Sequence, residues 1–247
     1  MQKVTLITLA VSIILLTGCA VDLPDLFSQT AKEWFELGQG YQVKDDHETA
    51  RRCYENVMVV YPSSKYADDA QFNLGLAYYN DELYLEAQAM FEDLAASYPN
   101  SELADNARYY IGRCYFMRTP DYQRDTELLQ AASAEYRRTL KLFPGTELAS
   151  DINASIKEVE EIEARKLDQI IYIYRRIDKH LSVIFYADKI LAEYPDSHYI
   201  AKSLWRRGEA LHALGRDEEA RLDYQRVLDD YPDHDYASDA RSSLAAL

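Results

Sequence analysis

Apolar and polar positions follow two different patterns along the chain. From Val4 to Leu16 apolar residues dominate a run of thirteen, with Lys3 just ahead of it. A spanning helix needs about 20 apolar residues, so this run is too short to cross a bilayer comfortably. Its length and basic flank match the apolar core of a secretory leader. From Thr30 onward, helix-forming segments are punctuated by an aromatic-proline pair: Tyr61-Pro62, Tyr98-Pro99, Phe143-Pro144, Tyr194-Pro195 and Tyr231-Pro232. Proline lacks an N–H and disfavours helical geometry in the residue before it, so each pair predicts the end of a helix.

Between these stops the chain repeats. Gly38 to Pro62, Gly75 to Pro99 and Gly208 to Pro232 each span 24 residues. Twelve residues after each glycine stands an alanine (Ala50, Ala87, Ala220), and four later an aromatic (Tyr54, Phe91, Tyr224). The arrangement resembles the tetratricopeptide pattern W-x₂-L-G-x₂-Y…A-x₃-F…P, and Trp34 occupies its opening position in the first unit. The small glycine and alanine allow two helices to approach, and the aromatic fills the space beside them. Polar residues able to cap the next helix follow the prolines, at Ser63-Ser64, Asn100-Ser101, Gly145-Thr146 and Asp196-Ser197. Thr30 to Glu33 fits a capping box that would start the first helix.

The regular period is 37 residues, with two departures. Gly112 to Pro144 spans 32 residues, eight more than the others, the excess falling around Arg118 to Leu128. Pro144 to Pro195 runs fourteen beyond the period, with no glycine or proline between Thr146 and Asp178. That predicts one long helix opening the fourth unit, longer by about four turns. The expected fold is all-α: a tetratricopeptide-like solenoid of about five helix pairs plus a C-terminal capping helix. The expected divisions are a signal peptide over 1–18, a lipidated linker over 19–29 and the solenoid over 30–247. Its units would cover about 30–62, 67–99, 104–144, 147–195 and 199–232, with a cap at 236–247.

Leu16-Thr17-Gly18-Cys19 closes the leader and resembles the lipobox of bacterial lipoproteins. That resemblance implies cleavage before Cys19, acylation of its thiol and a third chain on the freed amine. Several chains hold a protein on a membrane far better than one, at roughly 0.8 kcal/mol per buried CH₂. Ala20, rather than Asp, after the cysteine points to the outer membrane, periplasmic face. The formal charge of −15 repels phosphate backbones, which argues against a nucleic-acid partner. Cys53 and Cys114 fall two units apart, roughly 20 Å at about 8–10 Å per helix layer. A disulfide needs Cα atoms within about 7 Å, so both are expected as buried small hydrophobes.

No catalytic constellation, metal set or phosphate-binding loop emerges, and no cofactor is expected. The five histidines are scattered, with His47 and His180 in expected turns. Acid pairs such as Asp68-Asp69 and Glu160-Glu161 read as solvated helix faces. The informative residues are aromatic, for there are 21 tyrosines. In tetratricopeptide proteins, positions three before and four after the glycine face the concave side. Here these are Phe35 and Gln42, Phe72 and Tyr79, Tyr109 and Phe116, then Trp205 and His212. Phe35, Phe72, Tyr79, Tyr109 and Phe116 form an aromatic ladder, a candidate peptide-binding groove. The alternative is that these rings pack against neighbouring units or the inserted loop.

Taken together, the repeats, the lipobox and the length resemble the BamD (YfiO/ComL) family, lipoproteins of the outer-membrane β-barrel assembly machine. The nearest stretches are Leu167 to Tyr174 and Ile190 to Ser197, and the insertion carrying Arg124-Asp125 sits where that family has one. The resemblance implies a non-enzymatic scaffold. Its amino-terminal repeats would recognise aromatic-rich C-terminal signals of unfolded outer-membrane proteins. Its carboxy-terminal repeats would dock on a BamA-type barrel subunit, beside other lipoproteins of the machine. The other reading is a generic envelope tetratricopeptide lipoprotein that scaffolds Tol–Pal or peptidoglycan-associated machinery. An enzyme with a helical accessory domain fails, since no residues remain for a catalytic domain.

Overall fold

The computed structural model describes residues 23–25, 27–119 and 127–247. The leader, Cys19 and the Arg124-Asp125 insertion lie outside the described residues. Among those described there are α-helices and no strands, as the all-α reading expects. Five antiparallel pairs follow one another: α1 (Ala31–Gln42) with α2 (His47–Val60), α3 (Ala67–Asn80) with α4 (Tyr84–Ser97), and α5 (Ala104–Met117) with α6 (Glu127–Leu142). Then come α7 (Ala149–Arg176) with α8 (His180–Glu193), α9 (Ile200–Ala213) with α10 (Asp217–Asp230), and a last helix α11 (Tyr236–Ala246). His47 and His180 are the first residues of α2 and α8, one step inside the helix from the expected turns.

Each helix boundary has a local cause. Thr30 accepts the Glu33 N–H while the Glu33 carboxylate accepts the Thr30 N–H at 2.7 Å, closing the capping box at the head of α1. The polar residues after the prolines act one step earlier than caps. Ser64, Ser101, Thr146 and Ser197 accept the N–H of Tyr66, Leu103, Leu148 and Tyr199, the residues just before each helix. The chain makes one extra turn after proline, so the hydroxyl organises that turn rather than the helix terminus. Within pairs, the connecting residues Asp45, Glu82, Asp178 and Gly215 all take positive φ, between 53° and 73°. The next N–H then reaches back five residues, as from Leu83 to the Tyr78 carbonyl at 3.0 Å, a Schellman closure.

The pairs are held by size complementarity. A Cβ placed on Gly38 or Gly75 would stand 2.6 Å from the ring of Tyr54 or Phe91, and one on Gly208 would stand 2.5 Å from Tyr224. Gly112 meets Tyr136 in the same way, so the third unit keeps the rule across its insertion. All four rings are fully buried. The fourth unit inverts the rule. Counting back 24 and 8 residues from Pro195 gives Ile171 in the glycine place and Ala187 in the ring's place, both with 0% exposure. A large residue on one helix is matched by a small one on the other, so the shared volume is kept.

Each unit also packs on the first helix of the next. Ala70 and Leu74 of α3 complete the core around Trp34, Cys53 and Tyr54; Ala107, Ile111 and Cys114 of α5 complete that around Phe91 and Leu94. Helix α7 is divided between two cores, with Ile152, Ile156 and Val159 in the third and Leu167 and Ile171 in the fourth. Cys53 and Cys114 are free buried thiols, their pKa values pushed up by burial to about 11 and about 12. Neither is a reactive thiolate at neutral pH.

Candidate functional site

The first helices of the units carry the ladder residues, but they place them at different depths. Phe35 on α1 and Phe72 on α3 are in the core, each 9% exposed. Phe35 lies 5.8 Å from Tyr54 and 5.6 Å from Tyr66, and Phe72 lies 5.5 Å from Phe91. Tyr79, Tyr109 and Phe116 are only half-buried. The ladder therefore has a buried base and a half-open second and third unit.

Tyr110, a ring that the glycine-relative positions passed over, ties this region together. It stacks on Phe91 at 5.1 Å and meets Phe72, Tyr79 and Tyr109 edge-on at 5.8, 5.3 and 5.6 Å. Such pairs contribute about 0.5–1.5 kcal/mol each beyond burial, so the surface is a rigid one. Tyr109 in turn leans on Tyr136 at 5.9 Å, and Tyr79 on Tyr84 at 5.2 Å. Burial raises the pKa values of Tyr84, Tyr110 and Tyr136, which keeps these phenols protonated at neutral pH. Arg113, one helical turn beyond Tyr109, has its guanidinium 5.6 Å from the centre of the Phe116 ring.

The carboxy-terminal units combine rings with buried ion pairs. Asp168, buried on α7, accepts from Arg206 and from Lys202 of α9, the latter at 2.8 Å. Arg207 forks onto Asp223 at 2.6 and 2.8 Å and also pairs with Asp188. Trp205, a position from the same ladder rule, packs 5.0 Å from Tyr236 and 5.1 Å beneath Arg175. His212, the other, pairs with Asp217 at 2.7 Å. On the outside, Ile173, Ile177, Leu181 and Phe185 are each more than half exposed. No helix among the described residues is long and apolar enough to cross a membrane.

Successive helix pairs, mostly of 14-residue helices with α7 the long exception, together with glycine-to-ring packing in four of the five units and a ring-lined face, make this a tetratricopeptide-type solenoid, a class built for protein interaction. Two solved structures are similar to this chain, and the first of them shares the fold. The TPR2AB domain–pHSP90 complex of yeast Sti1 matches with a TM-score of 0.50 at 14% identity, over 87% of this chain and 82% of that one. A thermophilic tetratricopeptide protein of Thermus thermophilus matches with a TM-score of 0.42 at 15% identity, over 87% and 100%. No curated protein matches the sequence. The family model YfiO, outer membrane lipoprotein, matches residues 28–225, and the chain belongs to that family, the one that includes BamD.

Proposed function

We propose that this chain is a lipid-anchored scaffold of the outer-membrane β-barrel assembly machinery. The amino-terminal units capture extended segments of unfolded outer-membrane proteins, and the carboxy-terminal units dock on a BamA-type barrel subunit. The observation that carries the capture reading is the rigid ring cluster of the second and third units, in a member of the YfiO family. Half-open aromatics over a fixed base can take a strand's rings without first reorganising. The exposed apolar residues Ile173, Ile177, Leu181 and Phe185 support docking by the fourth unit, because apolar surface of this kind marks protein contacts. Other lipoproteins of the machine are further candidate partners.

Two measurements test this reading. The full chain, extracted in detergent from its own membranes, should co-purify with a large β-barrel subunit. It should also bind an aromatic-ended β-strand peptide, and Tyr109→Ala/Phe116→Ala should weaken that binding by tenfold or more, since truncating an anchor ring costs about 2 kcal/mol. Recovery with Tol–Pal or peptidoglycan-associated proteins and no barrel subunit would overturn the assignment in favour of a generic envelope scaffold.

Membrane attachment is assigned to acyl chains on Cys19. Cys19→Ser should leave the protein soluble or with its leader uncleaved. Normal processing and outer-membrane fractionation of that variant would refute the anchor.

A further inference from the structure

The segment just ahead of α1 is part of the first unit's packing. Leu23 rests against the core around Trp34 and Tyr54. The Ser28 N–H and hydroxyl both donate to the Asp25 carbonyl, at 2.8 and 2.7 Å, which folds the chain back at that point. The Tyr61 hydroxyl donates to the Gln29 carbonyl at 2.7 Å and fastens the end of α2 to the same segment. On this fixed support Phe27 is 82% exposed, more than any other phenylalanine among the described residues. Val59, in the last turn of α2, is 75% exposed. Two apolar side chains are thus held in water, next to the place where the chain leads back to Cys19.

We propose that the first unit lies against the membrane surface, with Phe27 and Val59 seated in the lipid interface. The inference rests on the acylation of Cys19, and it adds a contact that an anchor on a long linker would not require. Only four residues separate Cys19 from Leu23, a reach of at most about 14 Å for a fully extended chain. Acyl chains in the hydrocarbon hold that cysteine at headgroup level, a layer about 5–8 Å deep on each side of the core. Leu23 and the core it packs on therefore stand off by no more than roughly one helix diameter, about 10–12 Å. At that distance exposed apolar groups meet the interface, where aromatic rings are favoured. Val43 is as exposed, at 86%, but it closes the other end of α1, about 18 Å along the helix. The contact is apolar rather than electrostatic. Lys32 of α1 already pairs with Glu36 at 3.5 Å, and the net charge of −15 opposes anionic headgroups, so the surface that fits is zwitterionic lipid.

The test uses the full acylated chain, reconstituted into phosphatidylcholine vesicles with and without bromine on the upper acyl carbons. Phe27→Trp, Val59→Trp and Val43→Trp each add one indole at an exposed position, so none of them threatens the fold. The wild type supplies the background of Trp34 and Trp205. Flotation with the vesicles reports the anchor, and loss of the added fluorescence to bromine reports the contact. Phe27→Trp and Val59→Trp should each lose most of the emission they add, and Val43→Trp should lose none. Flotation without quenching at Phe27→Trp or Val59→Trp would overturn the contact and leave the anchor standing. Equal quenching at all three positions would overturn it as well, since the first unit would then turn no fixed face to the lipid. Failure to float would remove anchor and contact together.

Discussion

Gly75→Val should destabilise the protein by about 3 kcal/mol in urea or thermal unfolding, the upper end of what overpacking a core costs. A Cβ at Gly75 would stand 2.6 Å from the Phe91 ring, and that ring is fully enclosed. Neither helix can retreat, for α3 also completes the core of the first unit through Ala70 and Leu74. The fourth unit indicates the remedy. Gly75→Ile combined with Phe91→Ala installs the pair seen at Ile171 and Ala187, and should recover more than half of the loss. A wild-type melting curve for Gly75→Val would refute the ring-over-glycine packing. A double variant no better than its worse single would refute the claim that volume, not identity, is what the pair conserves.

Asp168→Ala should cost about 3–5 kcal/mol, the range for removing one partner of a buried ion pair. Asp168 and Arg206 expose only 8% and 7% of their side chains, so the guanidinium left behind keeps the backbone carbonyl of residue 168 but loses its buried carboxylate. Lys202 loses the same partner but is nearer the surface, at 21% exposure. Asp168→Leu with Arg206→Met should be far milder than Asp168→Ala alone, because it removes the buried charge instead of orphaning it. If Asp168→Ala unfolds like the wild type, the α7–α9 contact is carried by its apolar residues.

The repeat was legible because its cause is steric and local. Glycine, alanine, ring and proline sit at fixed offsets wherever two helices touch, and the extra fourteen residues without a breaker fixed the length of α7. The fourth unit lacked that signature because complementarity constrains a sum of volumes and leaves the order free. Counting back from Pro195 to Ile171 and Ala187 would have revealed it. The serines misled for another reason: their hydroxyls serve a turn that proline forces, a residue before the helix begins. In the candidate site, helix position identified which rings lie on the first helices but not how deep they sit. Depth depends on neighbours such as Tyr66 and Tyr110, which come from outside the rule.

Helix α7 also has a mechanical consequence. It runs from Ala149 to Arg176 with neither glycine nor proline, so it has no built-in hinge. Glu158 stands on it beside the ring-lined face, while Ile173 and Ile177 stand at its far end, about 22 Å on at 1.5 Å per residue. The third and fourth cores each grip one arm, as a beam is gripped by two bearings. On the proposed reading, in which the amino-terminal units hold cargo and the fourth unit docks, a push on one arm would be carried to the other by a single stiff lever.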